Sequence, residues 1–231
     1  MVYVAVVGGT GRLGSRIVKA ILATNSHSVL VLSRGPALPE LLKMGAKYVT
    51  VDYEDHKSLV EALQGVHTVI SSVFSLDQEQ LASSQLTLLN AAAEAGVKRF
   101  APSEFAVVAI PNEPMVLYRA KLVVAAAVVK SGLEYTQFQN GIFMDYFICG
   151  AKGVGYLYPF KFVIDVENCT ATIPGDGSAE VAFTSLDDIA TFVAASLDLP
   201  QWPKQLNMVG EKLSYSQVLA IAEKVRGIFH A

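Results

Sequence analysis

The chain has 231 residues, a formal net charge of −3 and only 17% charged residues, and its mean hydropathy is +0.39. Such a balance excludes a disordered or polyelectrolyte chain, and the lack of a basic run argues against nucleic acid as a ligand. It fits a large parallel sheet covered by helices on both faces, in one domain or two small ones.

The first predicted elements are the most informative. Val2 to Val7 is a near-continuous apolar run, suited to a strand buried on both faces. Leu13, Ile17 and Ile21 then recur at helical spacing. Between them lies the segment Gly8 to Gly14, GGTGRLG. Gly9, Gly11 and Gly14 satisfy one dinucleotide-loop spacing, and Gly8, Gly11 and Gly14 satisfy another. A strand-to-helix turn of glycines lets a pyrophosphate approach the unpaired N–H groups and positive dipole of a helix start. Gly8, Thr10, Gly11, Arg12, Leu13 and Gly14 are therefore the expected phosphate cradle.

Ser28 to Ser33 reads as the second strand, whose carboxyl end faces the adenosine ribose in a Rossmann unit. An acidic residue there would favour NAD. The sequence has Ser33-Arg34-Gly35 instead, and Arg34, with Arg12 from the glycine loop, can pair with a 2′-phosphate. NADP is thus the expected cofactor. Pro36 and Pro39 precede a short helix, Glu40 to Met44. Lys47 to Val51 is a third strand ending at Asp52, which reads equally as an adenine contact or a turn residue.

Lys57 to Gln64 is helical and stops at Gly65. His67 to Val73 is the fourth strand, and Ser71 and Ser72 at its end can line the ribose and nicotinamide. His67 itself reads as a core or surface histidine. Leu81 to Ala95 is a long helix closed by Gly96. Val97 to Pro102 is the fifth strand, followed by Ser103 and Glu104, which are expected to shape the site rather than react. A helix is expected from Met115 to Ser131, opened by Pro114 and closed by Gly132. Tyr118, Lys121, Leu122 and Ala125 share one face of it. Leu133 to Gln139 is the sixth strand, ending at Asn140-Gly141, and Asn140 is a further expected cofactor contact.

The strand–helix alternation to about residue 140 predicts a doubly wound α/β Rossmann sheet with right-handed crossovers. Residues 1–140 form its core, and residues 141–231 a small substrate-binding portion interleaved with it. That second part opens on an aromatic-rich stretch: Phe143, Tyr146, Phe147, Tyr156, Tyr158, Phe160 and Phe162. These residues read as core, or as walls of a substrate pocket. Gly175 to Gly177 is a turn between short strands, Ser185 caps a helix to Leu197, and Ser214 or Ser216 starts the last helix.

No apolar run reaches the length of a bilayer span, and the N-terminus carries no basic leader. The two cysteines, Cys149 and Cys169, are too few for a disulfide framework and read as buried small apolar residues. The expectation is a cytoplasmic protein without a membrane partner, acting on a small molecule. Monomer and homodimer both stay open.

The GGTGRLG segment together with Arg99 to Phe105, RFAPSEF, resembles the NmrA-like and isoflavone-reductase-like atypical short-chain dehydrogenases. Lys121 stands one helix later, as the catalytic lysine of that family does. Tyr135 to Phe147, Gly175 to Gly177, Asp187 to Ile189 and Leu213 to Ser216 extend the match over nearly the whole chain.

The resemblance implies an NADPH-binding Rossmann domain that transfers hydride to aromatic or conjugated ketone-type substrates, with Lys121 as general acid/base, or as the residue that holds the cofactor ribose and polarises a substrate oxygen, and Tyr118 assisting. Regulatory members of the family bind the dinucleotide as sensors without turning it over, and a redox-neutral isomerase is a further use of the scaffold. The chain departs from ordinary short-chain dehydrogenases, whose tyrosine stands four before the lysine. Here Leu117 holds that position, and Tyr118 is three before Lys121. Relatives continue beyond the equivalent of Gly227 and close the pocket with that tail, so for a chain ending at Ala231 the substrate class, and catalysis with it, stay open.

Overall fold

The computed structural model describes residues 1–108, 110, 115–148, 157 and 163–227. The first half alternates strand and helix: β1 (Tyr3–Val7), α1 (Arg12–Ala23), β2 (Ser28–Ser33), α2 (Pro39–Lys43), β3 (Lys47–Thr50), α3 (His56–Ala62), β4 (Thr68–Ser71), α4 (Gln78–Glu94), β5 (Arg99–Ala101), α5 (Arg119–Lys130) and β6 (Glu134–Tyr135). Its six strands form one sheet in the order β3-β2-β1-β4-β5-β6, every pair parallel. The chain order reverses between β1 and β4, which opens a crevice at their carboxyl ends.

The unbroken apolar run of β1 follows from burial on both faces. Val4 and Val6 pack with Ile17, Val18 and Ile21 of α1. Ala5 and Val7 point the other way, to Leu59 of α3, Leu88 and Ala92 of α4, and Val124 of α5. Alternation along each strand thus feeds two cores, one per face.

Most predicted boundaries shift by a residue or three, set by caps invisible to periodicity alone. Asp55 accepts from the Ser58 N–H and starts α3. Asp77 accepts from Glu79 and Gln80 and starts α4 three residues before the first apolar position, Leu81. The helix expected from Met115 is a 3-10 turn over Val116–Tyr118 that becomes α-helical only at Arg119; Pro114 lies outside the described residues.

The expected sixth strand, Leu133 to Gln139, is two strands. β6 closes the main sheet, while β7 (Gln137–Gln139) leaves it and pairs in parallel with β12 (Gln205–Asn207), placed after the elements named next. The remaining strands are β8 (Ile142–Phe143), the antiparallel pair β9 (Ile164–Asp165) and β10 (Thr170–Ala171), and β11 (Glu180–Thr184), which runs antiparallel to β13 (Glu211–Ser214) and parallel to β8. Helices α6 (Leu186–Ser196) and α7 (Tyr215–Arg226) complete the chain. Ser214, rather than Ser216, caps α7, in a capping box with Gln217.

The second half returns to the first. Ile189 and Val193 of α6 share the core of α1 and β1. Arg99 on β5 ties the two halves together: its guanidinium donates to the Leu199 and Pro200 carbonyls, pairs with Glu134 at 3.1 Å and lies over the Trp202 ring. Phe147, Phe183 and Tyr215 form a separate small core with α7. The other aromatics of the predicted pocket stretch, Tyr156, Tyr158, Phe160 and Phe162, lie outside the described residues, as does Cys149. Cys169 is half-buried at φ +54° with its thiol towards the Val166 carbonyl, not the fully buried residue expected. Among the described residues no helix is long and apolar enough to cross a membrane.

Candidate cofactor and active site

The glycines divide the work of the loop. Gly8 turns the chain at φ +77°, in the left-handed region. Gly14 lets α1 lie on the strand ends: a Cβ there would stand 2.3 Å from the Gly8 carbonyl oxygen and 2.6 Å from Ser72 Oγ. Gly9 is packed as tightly, with Val31 Cγ1 and the Val6 carbonyl 2.9 Å from a Cβ position. Gly11 differs. Its Cβ position meets only the Gly8 carbonyl, at 3.0 Å, so the loop is open there. Gly11 is also the N-cap of α1, with no side-chain cap and no acidic residue in the first turn. The positive end of α1 therefore meets no carboxylate of its own, and a phosphate fits that cradle. Leu13 is partly buried and packs against the core that holds α1.

At the adenosine end, Thr10 Oγ1 and Ser33 Oγ share a 2.5 Å hydrogen bond, which ties the glycine loop to the end of β2. Arg34 follows, exposed, with its guanidinium 5.2 Å from the centre of the Tyr53 ring. Tyr53 is buried and its hydroxyl donates to the Leu32 carbonyl at 3.4 Å. Burial pushes its phenol up, and the Arg34 charge opposes that shift. Tyr48 donates to the Gly35 carbonyl and holds the following turn. Arg12 is exposed at the start of α1. Asp52 displays the turn role: its Oδ1 accepts from the Glu54 N–H at 3.0 Å.

Ser71 ends β4 and Ser72 follows it. Ser72 Oγ donates to the Val7 carbonyl at 2.9 Å and packs under Gly14, so it locks β4 to the glycine loop. Ser71 is fully buried. Beyond β5, the Ser103 N–H donates to Gln85 Oε1 of α4 at 2.8 Å. Asn140, fully buried after β7, donates to its own neighbour's carbonyl at Gly141, and its N–H reaches the Ala106 carbonyl. Gly141 is at φ +67° with the Ala182 carbonyl 2.1 Å from a Cβ position, so only glycine allows this approach.

Lys121 stands in the first turn of α5. A helix start repels cations, and this one carries Arg119 and Lys121 with no acidic residue to offset them. That local conflict marks a residue held for another reason. Lys121 Nζ donates to the main-chain carbonyl of Glu104 at 2.8 Å and lies 5.6 Å from the centre of the Tyr118 ring. The Tyr118 ring and the Lys121 amine are thus neighbours across the join of the 3-10 turn and α5. Burial pushes the Lys121 amine down to about 8, against the raising influence of the Glu104 carboxylate. Glu104 is 3% exposed. Burial pushes its carboxyl up to about 7, with Lys121 opposing. The phenol of Tyr215, on α7, is pushed up by burial and by Tyr118.

Among the described residues, four buried polar atoms around these strand ends have no hydrogen-bond partner: Ser71 Oγ, Gln85 Nε2, Glu104 Oε1 and Asn140 Oδ1. Orphans of this kind are rare in native interiors, and a cluster of them marks a place built for a ligand or water. Sequence reading placed Ser71 and Asn140 there. It missed Gln85, which looks like an ordinary polar residue of a long helix, and Tyr53, whose spacing reads only as core. It gave Glu104 no charge to share. The Arg34–Tyr53 and Lys121–Glu104 pairs join residues on different elements, and no spacing reports them.

The chain matches the NmrA-like family over residues 2–228. It is 36% identical to an oxidoreductase of Botryotinia fuckeliana, BOA1, over 98% of this chain and 77% of the relative. It is 32% identical to a bifunctional pinoresinol-lariciresinol reductase of Linum usitatissimum, over 97% of this chain and 71% of the relative. Among solved structures, AtPrR2 with NADP+ and (+)pinoresinol superposes with a TM-score of 0.73 at 29% identity, covering 98% of this chain and 76% of that one.

Proposed function

The chain belongs to the NmrA-like family and is an NADP-dependent oxidoreductase, and from that premise we propose that it reduces a small aromatic, conjugated carbonyl or enone-type substrate with Lys121 as its proton donor. The observation that carries the reading is the partly buried Lys121 amine, tied to the Glu104 carbonyl at the carboxyl end of β5. When bound, NADPH supplies the hydride.

The chain's own residues do the rest. The N–H groups from Gly11 to Gly14 and the positive end of α1 receive the pyrophosphate. Gly8 and Thr10 shape that turn. Arg34, steadied on Tyr53, and Arg12 receive the 2′-phosphate. Ser71, Ser72, Ser103 and Asn140 border the ribose and nicotinamide, and Asp52 borders the adenine. Residues 1–140 thus act as the cofactor-binding part, and residues 141–231 as the substrate-binding part. Lys121 gives a proton from Nζ to the substrate oxygen as negative charge develops there. An amine lowered to about 8 is still mostly protonated at neutral pH and gives its proton up more readily than an exposed lysine.

An apolar substrate fits the strand-end loops. Phe74 and Leu76 after β4 are 68% and 71% exposed, and Val107, Val108 and Ile110 after β5 are exposed as well. β4 and β5 are neighbours in parallel, so the two loops leave the same edge of the sheet. Exposed apolar side chains grouped at such an edge are the usual wall of a binding site.

The test follows NADPH absorbance while a panel of aryl enones, phenolic ethers and quinones is added. The reading expects oxidation of NADPH with at least one of these classes. Tight NADPH binding with no oxidation by any of them would transfer the chain to the dinucleotide sensors of the family.

A further inference from the structure

The reading above uses Lys121 and leaves Glu104 without a task beyond its carbonyl. Yet Glu104 is the more costly residue. A carboxyl group 3% exposed, with Oε1 lacking a hydrogen-bond partner among the described residues, is destabilising unless something offsets it. Its main chain is fixed on both sides: Glu104 N–H donates to the Pro102 carbonyl at 2.8 Å, and Ser103 N–H to Gln85 Oε1. The backbone is therefore held where its carbonyl accepts from Lys121 Nζ.

We propose, building on the Lys121 reading, that Glu104 is a positioning residue for Lys121: its carbonyl fixes the amine in place, and its buried carboxyl group holds the amine in the charged form needed to donate a proton. The surroundings leave Glu104 alone in this role. On α5 the nearest charge is Arg119, exposed and of the same sign as Lys121. α4 presents neutral Gln78 and Gln85 to this region. The 3-10 turn presents the Tyr118 ring, behind which lies the Tyr215 phenol of α7. Burial pushes the Tyr215 phenol up, away from neutrality, and among the described residues the charge that acts on Lys121 is that of Glu104.

The sign follows directly. A carboxylate near the amine favours the ammonium, so removing its charge lets burial push Lys121 further below about 8. Glu104 is itself raised to about 7, so the wild-type pair titrates in two steps.

The experiment is an NMR titration of the full chain carrying lysine labelled at 13Cε, with the Lys121 signal assigned through Lys121→Arg. In wild type the Lys121 signal should show both steps. In Glu104→Gln, which keeps the shape and the carbonyl, the first step should vanish and the second move to lower pH by about one unit. Glu104→Asp should restore both steps. A single step in wild type overturns the proposal, and so does a second step moved by less than about half a unit in a folded Glu104→Gln protein. If Glu104→Gln does not fold, the wild-type titration alone decides. Retention of turnover by Lys121→Ala would defeat the proton-donor reading, a result separate from the coupling that the resonance reports.

Discussion

The two ends of the cofactor crevice are built on opposite plans. The phosphate end is almost all main chain: Gly9 and Gly14 are packed so closely that added Cβ atoms would overlap the Val6 and Gly8 carbonyl oxygens, while Gly8 turns the chain and Gly11 caps α1. Its hydrogen bonds, between Thr10 and Ser33 and from Ser72 to the Val7 carbonyl, are internal to the fold. The end proposed to be reactive is side-chain chemistry: a partly buried lysine, a buried glutamate and orphaned atoms on Ser71, Gln85 and Asn140. The first end is preorganised by packing, and the second carries unmet electrostatic demand. Binding and reactivity should therefore be separable by mutation.

Lys121→Ala is the hardest test of that separation. Loss of a positioned proton donor should lower kcat by about a hundredfold or more, while calorimetry finds NADPH affinity near wild type. In the wild-type enzyme kcat/KM for reduction should fall as pH rises through about 8, because the donor is protonated below that value and spent above it. A comparable loss of NADPH affinity would mean the two ends are one.

Gly14→Ala attacks the packed end. A methyl group 2.3 Å from the Gly8 carbonyl must displace main chain, at a cost of about 1–3 kcal/mol or more. Thermal melting should register that loss, and NADPH binding should weaken with it. An unshifted melting temperature would show the loop to be loose.

Arg34→Ala should weaken NADPH by about tenfold to a hundredfold, as expected for lost charge-assisted bonds to a phosphate. NADH should bind as before, and equal losses for both nucleotides would remove Arg34 from the 2′-phosphate. The smallest effect belongs to Tyr53→Leu. Without the ring beneath Arg34, the preference for NADPH should drop about twofold to fivefold. Paired titrations with the two nucleotides would detect that drop, and Tyr53→Phe, which keeps the ring face, should retain most of the preference.

The same contrast explains how much could be read from the chain. Local pattern carries local structure. The β1 run, the glycine spacing and the α1 stripe lie within one continuous stretch, so the Rossmann core and the glycine turn that opens α1 were legible there. The strand Leu133 to Gln139 was legible as extended chain, but nothing in it says that Thr136 divides two sheets or that β7 waits for β12, some 65 residues later. The 3-10 turn before α5 escaped because Val116 and Tyr118 fit a helical face equally well. Lys121 was singled out through its place after the Arg99 to Phe105 segment. Its partner was not, since the pairing of Lys121 with Glu104 is a product of burial, and one sequence does not display burial of a carboxylate.

The central claim is that one nucleotide spans both ends, with its reactive ring beside Lys121. A crystal structure of the NADPH complex tests this most directly. The account predicts the pyrophosphate against the start of α1, the 2′-phosphate on Arg34, and Lys121 Nζ within hydrogen-bonding reach of the nicotinamide ribose or of an oxygen placed above the ring. A nucleotide seated on the glycine loop with its nicotinamide directed away from Lys121 would contradict it.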